Sequence, residues 1–208
     1  MVNSDYLNNL NKAQKDAVNY LDGPLLIVAG AGSGKTKVLT ARIANIIQRK
    51  KAFPNQILSV TFTNKAAKEM QTRVSKLLGA AAVGLSWLGT FHSICAKLLR
   101  KHATAVGLNS NFTIIDTDDQ IRLVKNICKA ENVDIKKLAP KYILAIIDRW
   151  KNKGYYPDEV IINNKDIYEK TILPVYKIYQ KKLTDLNSCD FGDLILHVVK
   201  IFEKNQDI

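Results

Sequence analysis

The sequence predicts an α/β protein: a parallel sheet covered by helices on both faces, followed by an inserted, mostly helical segment. Three observations carry this reading. Short apolar runs alternate with amphipathic stretches through the first hundred residues. A glycine-rich segment, Ala29-Gly30-Ala31-Gly32-Ser33-Gly34-Lys35-Thr36, lies between one such run and the next amphipathic stretch. From about residue 108 the strand-like runs largely give way to helical periodicity.

Taken in order, residues 8–21 place Leu10, Ala13, Ala17, Val18 and Leu21 at helical spacing. Gly23-Pro24 ends that helix, and Leu25-Leu26-Ile27-Val28 suits a buried parallel strand. Beyond the glycine-rich loop, Leu39, Ile43, Ile46 and Ile47 stripe a helix running to about Lys50. Residues Ile57 to Phe62 read as a second buried strand, with Asn64 as N-cap of a helix to about Leu78. A third strand is expected near Leu85 to Leu88. Phe91, Ile94, Cys95, Leu98 and Leu99 then form one helical face. Phe112 to Ile115 is a short strand-like piece, and Thr117 with Gln120 makes a capping box opening a helix to about Ala130. Pro140 precedes a helix over 141–151, and Pro174 is expected to interrupt the last long helical stretch. From Asp190, the spacing of Leu194, Ile195, Val198, Val199 and Phe202 predicts a final amphipathic helix.

The 208 residues are 47% hydrophobic and 24% charged, as in an ordinary globular chain. No apolar run approaches the roughly 20 residues that span a bilayer, and the first five residues do not open a secretory signal. Cys95, Cys128 and Cys189 are widely spaced, which suggests neither a disulfide framework nor a zinc site and fits a reducing, cytoplasmic setting. The net charge of +12 is concentrated: residues 1–107 hold 15 basic against 4 acidic side chains, whereas 188–208 are net negative. A polyanion is therefore expected to meet the first half of the chain.

The glycine-rich segment carries the sharpest chemistry. Successive N–H groups of such a loop curl around phosphates, and only small residues let the backbone approach that closely. The helix that follows points its positive end at the same anion. Lys35 would reach the outer phosphates of a nucleoside triphosphate and the Thr36 hydroxyl would ligate Mg2+. The general pattern opens with glycine, and here that position is Ala29.

Three further clusters flank it. Leu10-Asn11-x-x-Gln14 offers a side-chain amide able to bond a base edge or simply to face solvent. Thr61-Phe62-Thr63-Asn64-Lys65 closes the second strand, where ligands gather in open α/β sheets. There Phe62 either stacks on a base or enters the core, while Thr63, Asn64 and Lys65 are candidates for phosphate contacts. In Gly89-Thr90-Phe91-His92-Ser93, Thr90 and His92 either meet a sugar-phosphate backbone or Thr90 merely caps, with Phe91 in the apolar stripe.

In this order, the four clusters resemble those of superfamily 1 DNA helicases of the UvrD, PcrA and Rep group, and Asp190-Phe191-Gly192-Asp193-Leu194 is similar to another segment of that family. The resemblance spans about residues 8–200. It implies a RecA-like motor domain, called 1A, over 1–107, a helical domain 1B over 108–187 and a return to 1A over 188–208. It implies that Gln14 binds adenine, that residues 29–36, with Lys37 beside them, hold ATP and Mg2+, and that Phe62, Thr63, Asn64, Lys65, Thr90, Phe91 and His92 face single-stranded DNA. Duplex junctions and 3′-to-5′ movement are implied by the same likeness. Where the family has Arg after Lys-Thr, this chain has Lys37, which lacks a planar guanidinium.

The family's Asp-Glu pair on an apolar strand has no counterpart: Asp158-Glu159 follows Pro157 in an expected loop. The chain is accordingly expected to be the front of a longer enzyme, binding nucleotide weakly and lacking helicase activity alone. Two rival readings are a small phosphate-loop kinase-like enzyme and a noncatalytic DNA-binding module with a relict loop.

Overall fold

In the computed structural model, which describes residues 5–162, 167–205 and 207–208, the helix expected over 8–21 is the shorter α2 (Lys12–Asn19), preceded by a separate turn of helix, α1 (Asp5–Asn8). The break has a local cause. Asn11 takes an extended backbone so that its side chain accepts the Gln14 N–H while Gln14 takes the Asn11 N–H in return. The chain forms two compact units, Met1–Ile94 and Cys95–Ile208.

The first unit continues with α3 (Lys35–Gln48), β1 (Ser59–Thr61), α4 (Asn64–Leu78), β2 (Leu88–Thr90) and the start of α5 (Phe91–Lys101). Helix α3 buries one face against α2 through Leu10, Val18, Val38 and Ala41, and another against α4 through Ile43, Met70 and Val74. Strands β1 and β2 are parallel, with Ser59, Val60 and Thr61 opposite Leu88, Gly89 and Thr90.

Several expectations are corrected here. Leu25–Val28 forms no strand: a strand needs a ladder partner, and among the described residues β1 and β2 pair only with each other. The run is open to solvent, with Leu26 86% and Val28 87% exposed. Instead of one sheet covered on both faces, the described residues form two two-stranded parallel sheets. The strand expected near Leu85 to Leu88 is observed at Leu88–Thr90, starting where the expected span ends. The cap of α4 is Thr63, whose hydroxyl accepts the Ala66 N–H, so Asn64 is the first helical residue.

The second unit holds β3 (Thr113–Ile114), α6 (Thr117–Ala130), α7 (Pro140–Asn152), α8 (Ile167–Asp185), β4 (Ser188–Cys189) and α9 (Phe191–Lys204). Strands β3 and β4 pair in parallel. Asp116, not Thr117, caps α6, its carboxylate accepting from the Asp119 N–H. Pro174 does not interrupt α8. A proline inside a helix costs about 3 kcal/mol, but burial of Ile172, Val175, Tyr176, Tyr179 and Leu183 on both sides of it holds the helix together. A second core joins Leu99, Phe112, Cys189, Leu194, Val198 and Ile201.

One buried polar network organises α7, α8 and α9. The Lys151 side chain, 1% exposed, lies 2.7 Å from both Asp190 and Asp193. Tyr179 donates to Asp190 at 2.9 Å and the Gln180 amide to Asp193 at 3.0 Å. Burial alone would raise the Asp193 pKa, but the charges of Lys151 and His197 and the hydrogen bonds from Lys151 and the Asp190 backbone together outweigh it and hold the carboxyl below its ordinary range. The lysine stem crosses the start of α9 because residue 192 is glycine: a Cβ there would sit 3.1 Å from Lys151 Cδ. His197 stays neutral, its pKa lowered by burial although Asp193 opposes this, and its Nδ1 lies 2.6 Å from the Tyr156 hydroxyl.

Candidate nucleotide and nucleic-acid sites

The glycine-rich loop turns on two left-handed residues, Gly32 (φ 74°) and Gly34 (φ 83°), and Gly34 is also the N-cap of α3. These positions need glycine, because a side chain strains that backbone region. Ala29 takes no positive φ, so a Cβ is tolerated where the general pattern has glycine. Ser33 closes the turn on Gly30, with its hydroxyl donating to the Gly30 carbonyl at 2.7 Å.

The Lys35 ammonium donates to the carbonyls of Ala29 and Gly30 at 2.7 and 2.6 Å, which holds it over the loop. Thr36 is exposed in the first turn of α3. A curled backbone, a helix N-terminus, an ammonium and an exposed hydroxyl form a donor set of the kind that suits a triphosphate with a hard divalent cation.

The structure brings Gln14 to this loop. Its amide nitrogen donates to the Ser33 carbonyl at 3.0 Å, and its oxygen accepts from Asn11 N–H. Gln14, Ile27, Ala29, Ser33, Lys35 and Val38 line a cleft of about 210 Å³. Lys37 does not line it. Its ammonium donates to the Asn9 carbonyl at 2.5 Å, beside a separate cleft of about 240 Å³ lined also by Thr40, Arg73 and Lys76. Asn11, which the sequence places in the same cluster without a role of its own, is the partner that orients Gln14, and Asn-x-x-Gln ahead of an apolar stripe is the capping-box signal for it.

The other two clusters meet at the carboxyl ends of β1 and β2. Because Thr61 faces Thr90 in the parallel register, Phe62 and Phe91 leave the sheet side by side. Their rings pack at 5.6 Å between centroids with a 48° tilt. Phe62 is 90% exposed, so it is not the core residue that a strand phenylalanine usually is. Phe91 is also exposed and stands outside the buried stripe of Ile94 and Leu99.

Thr90 is buried. Its hydroxyl accepts the Ser93 N–H at 3.2 Å, and the Ser93 hydroxyl accepts the Thr90 N–H at 2.9 Å. Thr63 likewise spends its hydroxyl on capping α4, while Asn64, Lys65 and His92 are exposed around the aromatic pair. Gly89 and Ser93 went unread as site-shaping residues. A Cβ at Gly89 would meet Ser93 Oγ at 2.6 Å, a closeness visible only in three dimensions.

The model of the UvrD/REP helicase N-terminal domain matches residues 10–208. The chain is 48% identical over its full length to a probable DNA helicase II homolog of Rickettsia conorii, covering 32% of that protein. It is 44% identical over its full length to the ATP-dependent DNA helicase PcrA of Bacillus subtilis, covering 28% of it. Against the PcrA of Staphylococcus aureus it is 43% identical over 97% of this chain. The chain thus spans about a third or less of the curated relatives it matches.

Proposed function

The chain belongs to the UvrD/REP helicase N-terminal domain family, and from that premise we propose that it is the nucleotide-gripping and DNA-gripping front of an ATP-dependent 3′-to-5′ DNA helicase of the cytoplasm. Residues 1–107 and 188–208 serve as motor domain 1A, and 108–187 as the accessory domain 1B.

In this reading residues 29–36 hold the phosphates, with Lys35 on the outer ones and Thr36 as the Mg2+ ligand. Gln14 reads adenine from a position it already shares with the loop. ATP, when bound with its cation, supplies the free energy that drives motion along DNA. Phe62 offers a stacking surface to a base of single-stranded DNA, while Asn64, Lys65 and His92 take the sugar-phosphate backbone. Thr63 and Thr90 shape the ends of α4 and α5 from which these groups project. Single-stranded DNA next to a duplex junction is the substrate.

The observation that carries this reading is the nearly fully exposed Phe62, in tilted contact with Phe91 at a sheet end in the same unit as the phosphate loop. The test is ATP turnover and strand displacement by the whole protein with single-stranded DNA, compared with its Lys35→Ala variant. DNA-stimulated turnover that falls at least a hundredfold in the variant is expected. DNA binding indifferent both to nucleotide and to Lys35→Ala, with no turnover, would favour the noncatalytic module. The 208-residue chain alone is expected to show no multiple turnover.

A further inference from the structure

We propose that Phe91 is a positioning residue, which holds the Phe62 ring as a single one-sided platform for a DNA base without itself touching the strand. This rests on the DNA-binding reading above and adds to it how the aromatic pair divides its work.

The argument starts with how each ring is anchored. Phe91 opens α5, whose first turn is pinned by the reciprocal Thr90 and Ser93 bonds. Gly89 lets Ser93 approach closely enough to make them. Its backbone is therefore set from both sides of the strand-to-helix junction. Phe62 has no such support. It follows the last paired residue of β1 and precedes the extended Thr63 cap, and its ring is 90% exposed against 42% for Phe91.

An exposed ring with two free torsions loses conformational freedom when a base stacks on it. Contact with Phe91 restricts that ring in advance. The geometry also sets how many bases fit. A base held between two rings needs centroids roughly 7 Å apart, two contacts of about 3.5 Å each. At 5.6 Å and 48° the Phe62 and Phe91 rings touch each other, so no base enters between them. Phe91 touches Phe62 at a tilt from one side, and the exposed remainder of that ring is left for a base. Such stacking tolerates any sequence, because every base has a π face.

The test compares two fluorescent single strands of equal length, one with bases and one abasic, bound to the 208-residue chain at low salt. Phe62→Leu is expected to weaken the base-bearing strand roughly tenfold, the scale of one base-aromatic stack, and to leave the abasic strand within about twofold. Phe91→Leu is expected to weaken the base-bearing strand about threefold. The double variant should then bind no more weakly than Phe62→Leu, since Phe91 acts only through that ring. Phe91→Tyr, which keeps the ring, should bind as the wild type does, and melting curves verify that each variant is folded.

Losses that multiply in the double variant would make Phe91 a second direct contact and overturn the proposal. An unchanged affinity in folded Phe91→Leu would overturn it too. If the wild-type chain bound neither strand, the DNA-binding reading itself would fail, and this proposal with it. Equal affinity for both strands would show backbone binding without a platform, overturning the proposal while leaving DNA binding intact.

Discussion

The Gln14 side-chain amide donates to the Ser33 carbonyl at 3.0 Å while its oxygen accepts the Asn11 N–H at 3.0 Å. The orientation of the amide is thereby determined by its partners, and α2 is tied directly to the phosphate loop. Gln14→Glu keeps the shape but replaces the donor with a second acceptor facing the Ser33 carbonyl. Affinity for a fluorescent ATP analogue is expected to fall about tenfold, the scale of one hydrogen bond lost with its partner left facing a repelling group. Titration of the chain at fixed Mg2+ reads this directly. Equal affinities in the two proteins would show that the tie plays no part in binding.

Gly89→Ala tests the junction beneath the aromatic pair. Its new methyl group would lie 2.6 Å from Ser93 Oγ and 3.3 Å from Ile94 Cδ1. Overpacking of this kind costs about 1–3 kcal/mol, readable in urea denaturation. Adding Ser93→Ala removes the obstructing oxygen, so the double variant should lose less than the two single losses combined. Strict additivity would mean that the backbone moves aside freely.

Lys151→Met removes the ammonium that lies 2.7 Å from two buried carboxylates, Asp190 and Asp193. Breaking a buried pair in this way typically costs about 3–5 kcal/mol, because the remaining charge is left uncompensated. Adding Asp190→Asn and Asp193→Asn should recover much of that loss. The exposed Arg73 and Glu69 pair gives the contrast: Arg73→Ala should change stability by no more than about 0.5 kcal/mol. A Lys151→Met loss as small as that would deny the network any stabilising role.

His197 gives a pH signature. Burial, opposed by Asp193, holds the native imidazole below its ordinary pKa, while the unfolded imidazole titrates near 6.5. As pH falls below about 6.5 the unfolded chain gains a proton that the native chain refuses, so stability falls, with a limiting slope of about 1.4 kcal/mol per unit. Asp193 is shifted in the same direction but acts in a separate window. Its lowered native pKa stabilises the fold above about pH 4, and that share is lost only on further acidification. Denaturation of His197→Gln between pH 7 and 5 should show a flatter limb than the wild type. Parallel limbs would place the proton elsewhere.

What the residues disclose and what they hide follows from how far apart the partners lie. The phosphate loop is legible because its chemistry is contiguous, and the helices from Asn64, Pro140 and Asp190 are legible because their apolar stripes are local. Caps shift by one residue, as at Thr63 and Asp116, because several neighbouring polar side chains can each do that job. The Leu25–Val28 reading rests on hydrophobicity, which reports a wish for burial but not whether a ladder partner exists. Pro174 reads as a break because propensity is local, whereas the burial that overrides it is not. Lys151 is invisible in sequence because Asp190 lies 39 residues away. The exposure of Phe62 could not be read from its strand-like neighbours, and its partner Phe91 lies across the sheet register.

The open run Leu25-Leu26-Ile27-Val28 has a consequence for handling this chain. Four β-favouring or strongly apolar residues with no charge among them, exposed and outside any strand ladder among the described residues, are a template for self-association. Pro24 blocks ladder growth at one end only, and at the other end the run passes into the small residues Ala29 and Gly30. The chain therefore carries, a few residues from its anion cradle, an adhesive edge whose stickiness rises with concentration and with salt that screens the +12 charge.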